Sequence, residues 1–428
     1  MPALTPDGYE PRIIDARIER YLRVFGAVEI TGAKWCGKTW TALHHANSVS
    51  YVDELLALAQ DDPSALLVGD QPHVIDEWQL APGIWDVVRH QVDRTRGLRG
   101  GWILTGSSTP HRSINAPHHS GAGRIGRVRM RPMSLAESGD SSSVISLAGL
   151  FEKSFSPAQV ETSAEQLVRL ACRGGWPEAL GLAAEDAQLV ARDYLRLFRT
   201  ESAPLFGKDP ETMHRLLFSI SRNLGQACTY GTLAGDMADQ SGEEAPAMST
   251  VSSYLSVMRG SYLLDEVPGW APAARSKKRV QTKPKRYLTD PSLAVAQLGM
   301  STESLLADWQ TFGLIFENLC MRDLSVYAEA LELCGDEPLR YYRDDSGLET
   351  DAIIELVDGR WAALEIKVSD SKTPEAVASL KALRAKLCEN SASRIRPPEF
   401  MAVITGVSHF AREIEKGIYE IPITALTA

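Results

Sequence analysis

The chain has 428 residues, of which 44% are apolar, and carries a formal net charge of −10. This length and composition fit a globular protein of about two to four domains with no overall attraction to nucleic acid, so any nucleic-acid surface must be local. No apolar run reaches the length of a membrane span, residues 1–20 contain no signal peptide, and the six cysteines form no C-x-x-C pair. We therefore expect a cytoplasmic protein without structural zinc.

The first predicted element is an entry helix over residues 1–20, because apolar side chains recur at helical spacing around Ile14 and Ile18. A short apolar strand, 27–31, then leads into a segment that fits the phosphate-loop pattern G-x-x-x-x-G-K-[ST]. The glycines let backbone N–H groups point at phosphate oxygens, the lysine reaches the β- and γ-phosphates, and the threonine hydroxyl holds Mg²⁺. The predicted ATP-binding loop consists of Gly32, Ala33, Lys34, Trp35, Cys36, Gly37, Lys38 and Thr39.

Two further predicted strands end in polar residues. Residues 73–77 form an apolar run that ends in Asp76, a candidate Mg²⁺ ligand through water, and Glu77, a candidate base for the attacking water. Residues 101–108 end in Ser107 and Ser108, whose hydroxyls could sense the γ-phosphate. Because ligands bind at the carboxyl ends of parallel strands, this order predicts a parallel α/β sheet.

Residues 109–123 are rich in Pro, His, Ser, Asn and Gly and predict a mobile loop, in which solvated histidines are favoured over a metal site. Alternating Arg and apolar residues then predict a strand over 123–132. One of its arginines could reach a γ-phosphate, either of its own chain or of a neighbour in a homo-oligomer. Arg124 is the first choice and Arg127 the second; a solvated strand face is the alternative.

Residues 206–290 follow the order of a winged helix-turn-helix, with three helical segments and then a hairpin. Seven Lys and Arg residues and no acid lie in the basic segment 275–286. We interpret this segment as a wing that contacts DNA phosphates, with a solvated loop or an internal ion-pair surface as the alternative.

A second group of candidate catalytic residues lies near the C-terminus. Asp358-Gly359 predicts a tight turn between two strands, 352–357 and 361–368. Glu365 and Lys367 share one face of the return strand, and Asp351 begins its partner. Asp and Glu can hold Mg²⁺ while Lys orients water, the D…E-x-K arrangement of restriction-endonuclease-like nucleases. Glu317 offers a further acid, and an ordinary amphipathic hairpin is the alternative.

Together these segments resemble a large family of bacterial and archaeal AAA-type P-loop ATPases. Its members carry a C-terminal domain, often of unassigned function, with a winged helix and a nuclease-like hairpin. The resemblance covers nearly the whole chain through GAKWCGKT, VIDEWQ, ILTGSS, GAGRIGRVRMRPMSLAE, GGWPE, KPKRYLTD, LIFENL and SGLETDAIIELVDGRWAALEIK. Many relatives have Arg-Gln-Val where this chain has Lys34-Trp35-Cys36, which leaves the backbone cradle intact.

The expected fold is α/β in four parts. These are an AAA-like P-loop domain (1–140), a helical lid or linker (141–205), a winged helix (206–290) and a PD-(D/E)XK nuclease-like domain (291–428). The leading hypothesis is an ATPase that couples nucleotide state to nucleic-acid contact and to the nuclease-like domain. The alternatives are an ATP-dependent regulatory switch of toxin–antitoxin or defence type that binds a protein partner through a silent nuclease fold, and a winged-helix transcription regulator.

Overall fold

The computed structural model describes residues 4–108, 120–238, 245–388 and 395–428. It contains two compact units. The first comprises Met1–Pro132, Trp176–Glu178 and Val257–Leu263, and the second comprises Met133–Gly175, Ala179–Ser256 and Leu264–Ala428. Within the described residues, no helix has both the length and the apolar character needed to cross a membrane.

The first unit is built on a five-stranded parallel sheet, as predicted. Its strands are β1 Ala27–Gly32, β2 Ser48–Tyr51, β3 His73–Asp76, β4 Trp102–Gly106 and β5 Ile125–Met130. Its helices are α1 Asp15–Val24, α2 Lys38–His44, α3 Leu56–Asp61 and α4 Gly83–Arg94. The spatial order is β2-β3-β4-β1-β5, so β4 lies between the strand that precedes the phosphate loop and the strand that ends in the acids.

The central strand β1 is buried along its whole length, which is typical of parallel strands covered on both faces and explains its lack of alternation. A core that includes the tilted ring pair Trp78 and Trp85 fixes the sheet against α4. This packing holds the carboxyl ends of β1, β3 and β4 in register.

The structure corrects the predicted entry helix and leaves most of the predicted loop 109–123 undescribed. The entry helix was placed too early, since α1 begins at Asp15 and ends at Val24, and only Ile18 of it is fully buried. The predicted loop 109–123, with His111, His118 and His119, lies largely outside the described residues.

The second unit contains a helical region and a mixed sheet. Its helices are α5 Leu147–Phe151, α6 Ala164–Arg173, α7 Ala184–Leu197, α8 Ala203–Leu205, α9 Pro210–Arg222, α10 Tyr230–Met237, α11 Met248–Gly260, α12 Lys278–Gln281, α13 Pro291–Gln297, α14 Thr302–Ala307, α15 Trp309–Ala330 and α16 Thr373–Cys388. The last four residues of α11, 257–260, belong to the first unit.

The strands of the second unit are β6 Ile145–Ser146, β7 Ala158–Gln159, β8 Leu264–Val267, β9 Lys285–Leu288, β10 Cys334–Arg343, β11 Glu349–Leu356, β12 Trp361–Ser369, β13 Met401–Val407, β14 Phe410–Glu415, β15 Ile418–Pro422 and β16 Leu426–Thr427. The large sheet has the order β10-β11-β12-β13-β15-β14-β7. The predicted hairpin is confirmed as the antiparallel pair β11 and β12, in which Glu355 lies opposite Trp361 and Gly359 takes φ +82° in the turn.

The helices predicted for the winged helix are present as α9, α10 and α11, and β8 pairs with β9 in a separate two-stranded antiparallel sheet. Residues 268–284 connect these two strands. The α/β fold class with an N-terminal parallel sheet is confirmed, whereas the winged-helix and nuclease-like assignments and the four-part division stay predictions.

A buried ion-pair network connects the segments of the second unit. The Arg322 guanidinium contacts Asp290 at 2.9 Å and Asp323 at 2.7 Å, and both carboxylates are fully buried. Asp290 also accepts the Gly175 N–H, and Asp323 accepts the Leu135 N–H. One arginine therefore holds α15, the start of α13 and two loop segments together.

Replacing Arg322 with Met should destabilise the protein by about 3–5 kcal/mol, because two buried carboxylates lose their counter-charge. Urea unfolding of the full chain measures this loss. Arg196→Met is the control, since Arg196 is 59% exposed and pairs with Asp193 at the surface, where an ion pair contributes about 0–1 kcal/mol. Equal unfolding midpoints for the two variants would contradict the prediction.

Candidate functional site

The phosphate loop has the backbone geometry that its glycines predict. Gly37 takes φ +100°, in the left-handed region, directly before α2. A Cβ on Gly32 would meet the Met130 carbonyl oxygen at 2.2 Å, so only glycine fits there. The loop therefore depends on both glycines of the motif for distinct physical reasons.

The Lys38 side chain lies inside the phosphate loop, where it is predicted to contact the β- and γ-phosphates. Lys38 is 5% exposed, and its ammonium donates to the Ala33 carbonyl at 2.8 Å. A buried ammonium needs anionic or carbonyl acceptors, and a phosphate bound within the loop would supply them. The neighbouring Lys34 and Trp35 are exposed, so their side chains lie outside this cradle.

The predicted Mg²⁺ residues meet where the start of α2 faces the end of β3. The Thr39 hydroxyl donates to Asp76 Oδ1 at 2.9 Å, and the Thr105 hydroxyl donates to the same oxygen. Burial raises the pKa of Asp76, although the bonds from Thr105 and Thr39 oppose that shift. Hydroxyl and carboxylate oxygens are the ligand types that Mg²⁺ prefers, so these residues fit the cation.

Glu77 is held in a fixed position next to Asp76. Its backbone takes φ +54°, which is unfavourable for a non-glycine residue by roughly 1–2 kcal/mol. Its N–H donates to the Thr105 hydroxyl at 3.1 Å, and its carboxylate accepts from the Ser107 hydroxyl at 3.0 Å and from the Gln79 amide. Because β4 lies between β1 and β3, Thr105 and Ser107 connect the acids to the strand beside the phosphate loop.

The two candidate arginine fingers lie away from their own phosphate loop. In the parallel register Ala27 is opposite Ile125 and Gly32 is opposite Met130, so Arg124 sits at the far end of the sheet, roughly 20 Å from Gly32 at ~3.3 Å per residue. Arg124 pairs with Asp93 at 2.8 Å. A role for it on the nucleotide of its own chain is therefore excluded by distance.

Arg127 is engaged elsewhere as well. Its guanidinium contacts Glu29 at 2.8 Å and lies 4.9 Å from the centre of the Trp85 ring, on the face of the sheet. As for Arg124, action on a neighbouring copy of the chain stays a prediction.

The sequence did not single out Arg12, a buried residue outside the motif whose side chain hydrogen-bonds to the phosphate loop. Its guanidinium donates to the Cys36 carbonyl at 3.0 Å and to the Arg131 carbonyl at 2.8 Å, and the residue is 7% exposed. No motif contains Arg12, and its only signal in the sequence is a basic residue just before the first helix.

Near the end of α2 lies another unpredicted cluster. Asp15, His44 and His45 place one potential ligand atom each within 4.8 Å of the others, and no other described set of three His, Cys or acidic side chains does so. The Asp15 carboxylate already accepts from the Tyr9 hydroxyl and the Arg12 N–H, and it lies 3.1 Å from the His45 Nε2. These contacts account for the cluster as a hydrogen-bond network.

In the second unit the structure brings the predicted hairpin residues together. The Lys367 ammonium contacts Glu365 at 2.8 Å and Asp351 at 3.2 Å. Burial, reinforced by Asp351, raises the pKa of Glu365 to about 7. Burial alone would raise the pKa of Asp351, but Lys367, Lys285 and the Ile366 N–H outweigh it and lower that pKa.

Glu317 reaches this group from α15, together with a residue that the sequence did not single out as part of the site. The Lys285 ammonium lies 3.4 Å from Glu317, 2.8 Å from Glu349 and 3.6 Å from Asp351, and its side chain is 4% exposed. Glu317 also accepts from the Tyr287 hydroxyl at 2.6 Å. Each of these acids could ligate a divalent cation by donor type, but an ammonium already lies among them.

Four of the seven basic side chains in segment 275–286 form ion pairs with acids of the same chain. Lys278 pairs with Asp345 and Arg279 with Glu355, while Arg286 pairs with Glu266 and Lys285 with the acids described above. Lys285 and Arg286 are buried, so the interpretation of these two as phosphate contacts is wrong for this structure. Arg275, Lys277 and Lys283 remain exposed.

Comparison with known proteins finds family models for three segments of the chain. Residues 25–139 match the family model of an AAA domain, a kind of ATP-binding P-loop domain, so this segment of the chain is AAA-type. Residues 164–304 and 312–426 match two domains of unknown function, DUF8612 and DUF4143. No curated protein matches the chain significantly.

Similar solved structures are distant. The Walker-type ATPase PABY2304 of Pyrococcus abyssi is 13% identical with a TM-score of 0.41, over 70% of this chain and 98% of that chain. The ORC2 protein of Aeropyrum pernix is 11% identical with a TM-score of 0.32, over 71% and 98%. The RuvB Holliday junction branch migration motor of Thermotoga maritima is 16% identical with a TM-score of 0.28, over 67% and 94%.

Lys38→Ala should weaken ATP binding by about tenfold or more, because the loop loses its buried ammonium and with it a charge-assisted contact to phosphate. Isothermal titration with ATP and Mg²⁺ measures this effect. Lys34→Ala is the matched control, since its side chain is exposed in the same loop while its backbone N–H is unchanged. Equal ATP affinity of both variants would refute the assignment.

Proposed function

We propose that this chain is a Mg²⁺-dependent ATPase whose nucleotide state controls the nucleic-acid-contacting and nuclease-like parts of its second unit. The observation that carries the proposal is the contact between the Thr39 hydroxyl and the Asp76 carboxylate beside the buried Lys38. Lys38 and Thr39 begin α2 and Asp76 ends β3, and together they supply the cationic and oxygen ligands that a nucleoside triphosphate with Mg²⁺ requires.

Each residue has a defined role in this proposal. The backbone N–H groups of residues 32–39 bind the phosphates, and Lys38 contacts the β- and γ-phosphates. Thr39 would hold Mg²⁺ directly and Asp76 would hold it through water, and the ion would supply positive charge to neutralise the phosphates. Glu77 orients the attacking water and accepts its proton, and Ser107 keeps the Glu77 carboxylate in place.

Glu77→Gln should reduce the rate of ATP hydrolysis by about 10²–10⁴-fold, because the amide cannot accept the proton from water. ATP affinity should change little, since the phosphate contacts are unaltered. A phosphate-release assay and a binding titration on the same sample separate the two effects. Glu54→Gln, at an exposed acid of the same unit, should retain the full rate; an unchanged rate in Glu77→Gln would remove Glu77 from the mechanism.

A second candidate activity is phosphodiester cleavage at the hairpin. The observation that favours it is the contact of Lys367 with both Asp351 and Glu365, since the two acids could ligate a divalent cation beside a lysine that orients water. The exposed basic residues at 275, 277 and 283 would contact the phosphates of DNA.

Incubating the protein with supercoiled DNA, linear DNA and RNA in Mg²⁺ or Mn²⁺, with and without ATP, tests this activity. We expect nicking that is lost in Asp351→Asn, whose side chain keeps its shape but not its charge. Lys38→Ala shows whether cleavage depends on bound ATP. No cleavage under any condition, with ATP hydrolysis intact, would favour the regulatory switch that acts through a protein partner.

A further inference from the structure

The acids at the hairpin have a cation of their own. Lys285 begins β9 and extends its ammonium among Glu317, Glu349 and Asp351, with N–O distances of 2.8–3.6 Å. No other cationic side chain of the described residues contacts all three of these acids. The ammonium therefore occupies the centre of a group of carboxylates that a metal ion would otherwise bring together.

The surroundings hold Lys285 in this position. Its side chain is 4% exposed and packs over the Tyr341 ring, 5.4 Å from the ring centre. Glu317, one of the acids that Lys285 contacts, also accepts a hydrogen bond from the buried Tyr287. Tyr287 lies two residues after Lys285 on β9. Withdrawal of the ammonium would leave three partly buried carboxylates without this counter-charge, which is destabilising unless another cation replaces it.

The geometry also differs from that of a site prepared for metal. The three acids on Lys285 do not bring their oxygens within 4.8 Å of one another, which a shared metal ion requires and which the described residues achieve only around Asp15. Asp351 is also drawn toward Lys367 and the Ile366 N–H. The acids are therefore spread around two ammonium groups.

We propose that Lys285 is the resident cation of Glu317, Glu349 and Asp351 and that, by occupying Asp351, it keeps a divalent metal out of the hairpin site. The inference deepens the second candidate activity and rests on it. Metal binding and any cleavage then require β9 to withdraw its lysine, so the two-stranded sheet of β8 and β9 acts as the gate of this site. In the state described here the site is closed to divalent cations.

The proposal is tested by measuring Mn²⁺ binding to nucleotide-free protein with titration calorimetry and electron paramagnetic resonance. Lys285→Met should bind one Mn²⁺ per chain at least tenfold more tightly than the unmodified protein. Lys285→Met combined with Asp351→Asn should lose that gain. Lys372→Met removes an exposed lysine of the same unit and should leave Mn²⁺ binding unchanged.

Equal Mn²⁺ affinity of the unmodified protein and Lys285→Met would overturn the proposal. If Lys285→Met unfolds, Mn²⁺ should restore its folded state as judged by circular dichroism and melting temperature, and failure of Mn²⁺ to do so would also overturn it. If Lys285→Met binds Mn²⁺ but does not cleave DNA, the proposal for Lys285 stands and the proposed nuclease activity is refuted. The two proposals can therefore fail separately.

Discussion

The second unit depends on the neutralisation of buried carboxylates by a single guanidinium. Arg322 lies between Asp290 and Asp323, and these acids in turn accept backbone N–H groups from residues 175 and 135. Segments far apart in the chain are thereby fixed by charge as well as by apolar packing. An arginine suits this position because its planar fork donates to two carboxylates at once and stays charged in a dry interior.

The residues of the candidate nucleotide site are brought together in a different way, by the alignment of parallel strand ends. Because β1, β3 and β4 end at the same edge, residues 39, 76, 77, 105 and 107 meet although they are far apart in sequence. This arrangement could be predicted from the sequence, since glycine positions and strand-terminal acids are local signals. The hairpin could be predicted for the same reason, as Asp358-Gly359 marks the turn and the alternation marks the faces.

Interactions between distant segments could not be predicted. Arg12 carries no motif, and the pattern around Arg124 and Arg127 gave a strand but not which end of the sheet Arg124 would occupy. The basic segment 275–286 shows the limit most clearly. A run of positive charge can be counted from the sequence. Whether Lys285 and Arg286 contact solvent, phosphate or acids of the same chain depends on the burial of β9, which no local pattern encodes.

One pairing in the second unit bears on the order in which the protein is made. Strand β16 pairs with β6, and the Ser146 hydroxyl donates to a carbonyl 282 residues further along the chain. At about 5–20 residues per second, ribosomal synthesis separates the two partners by roughly 15–60 s. During that interval the first unit's sheet, whose strands all lie before residue 131, already has every partner it needs. The nascent chain therefore carries a complete nucleotide-binding sheet well before its second unit can close.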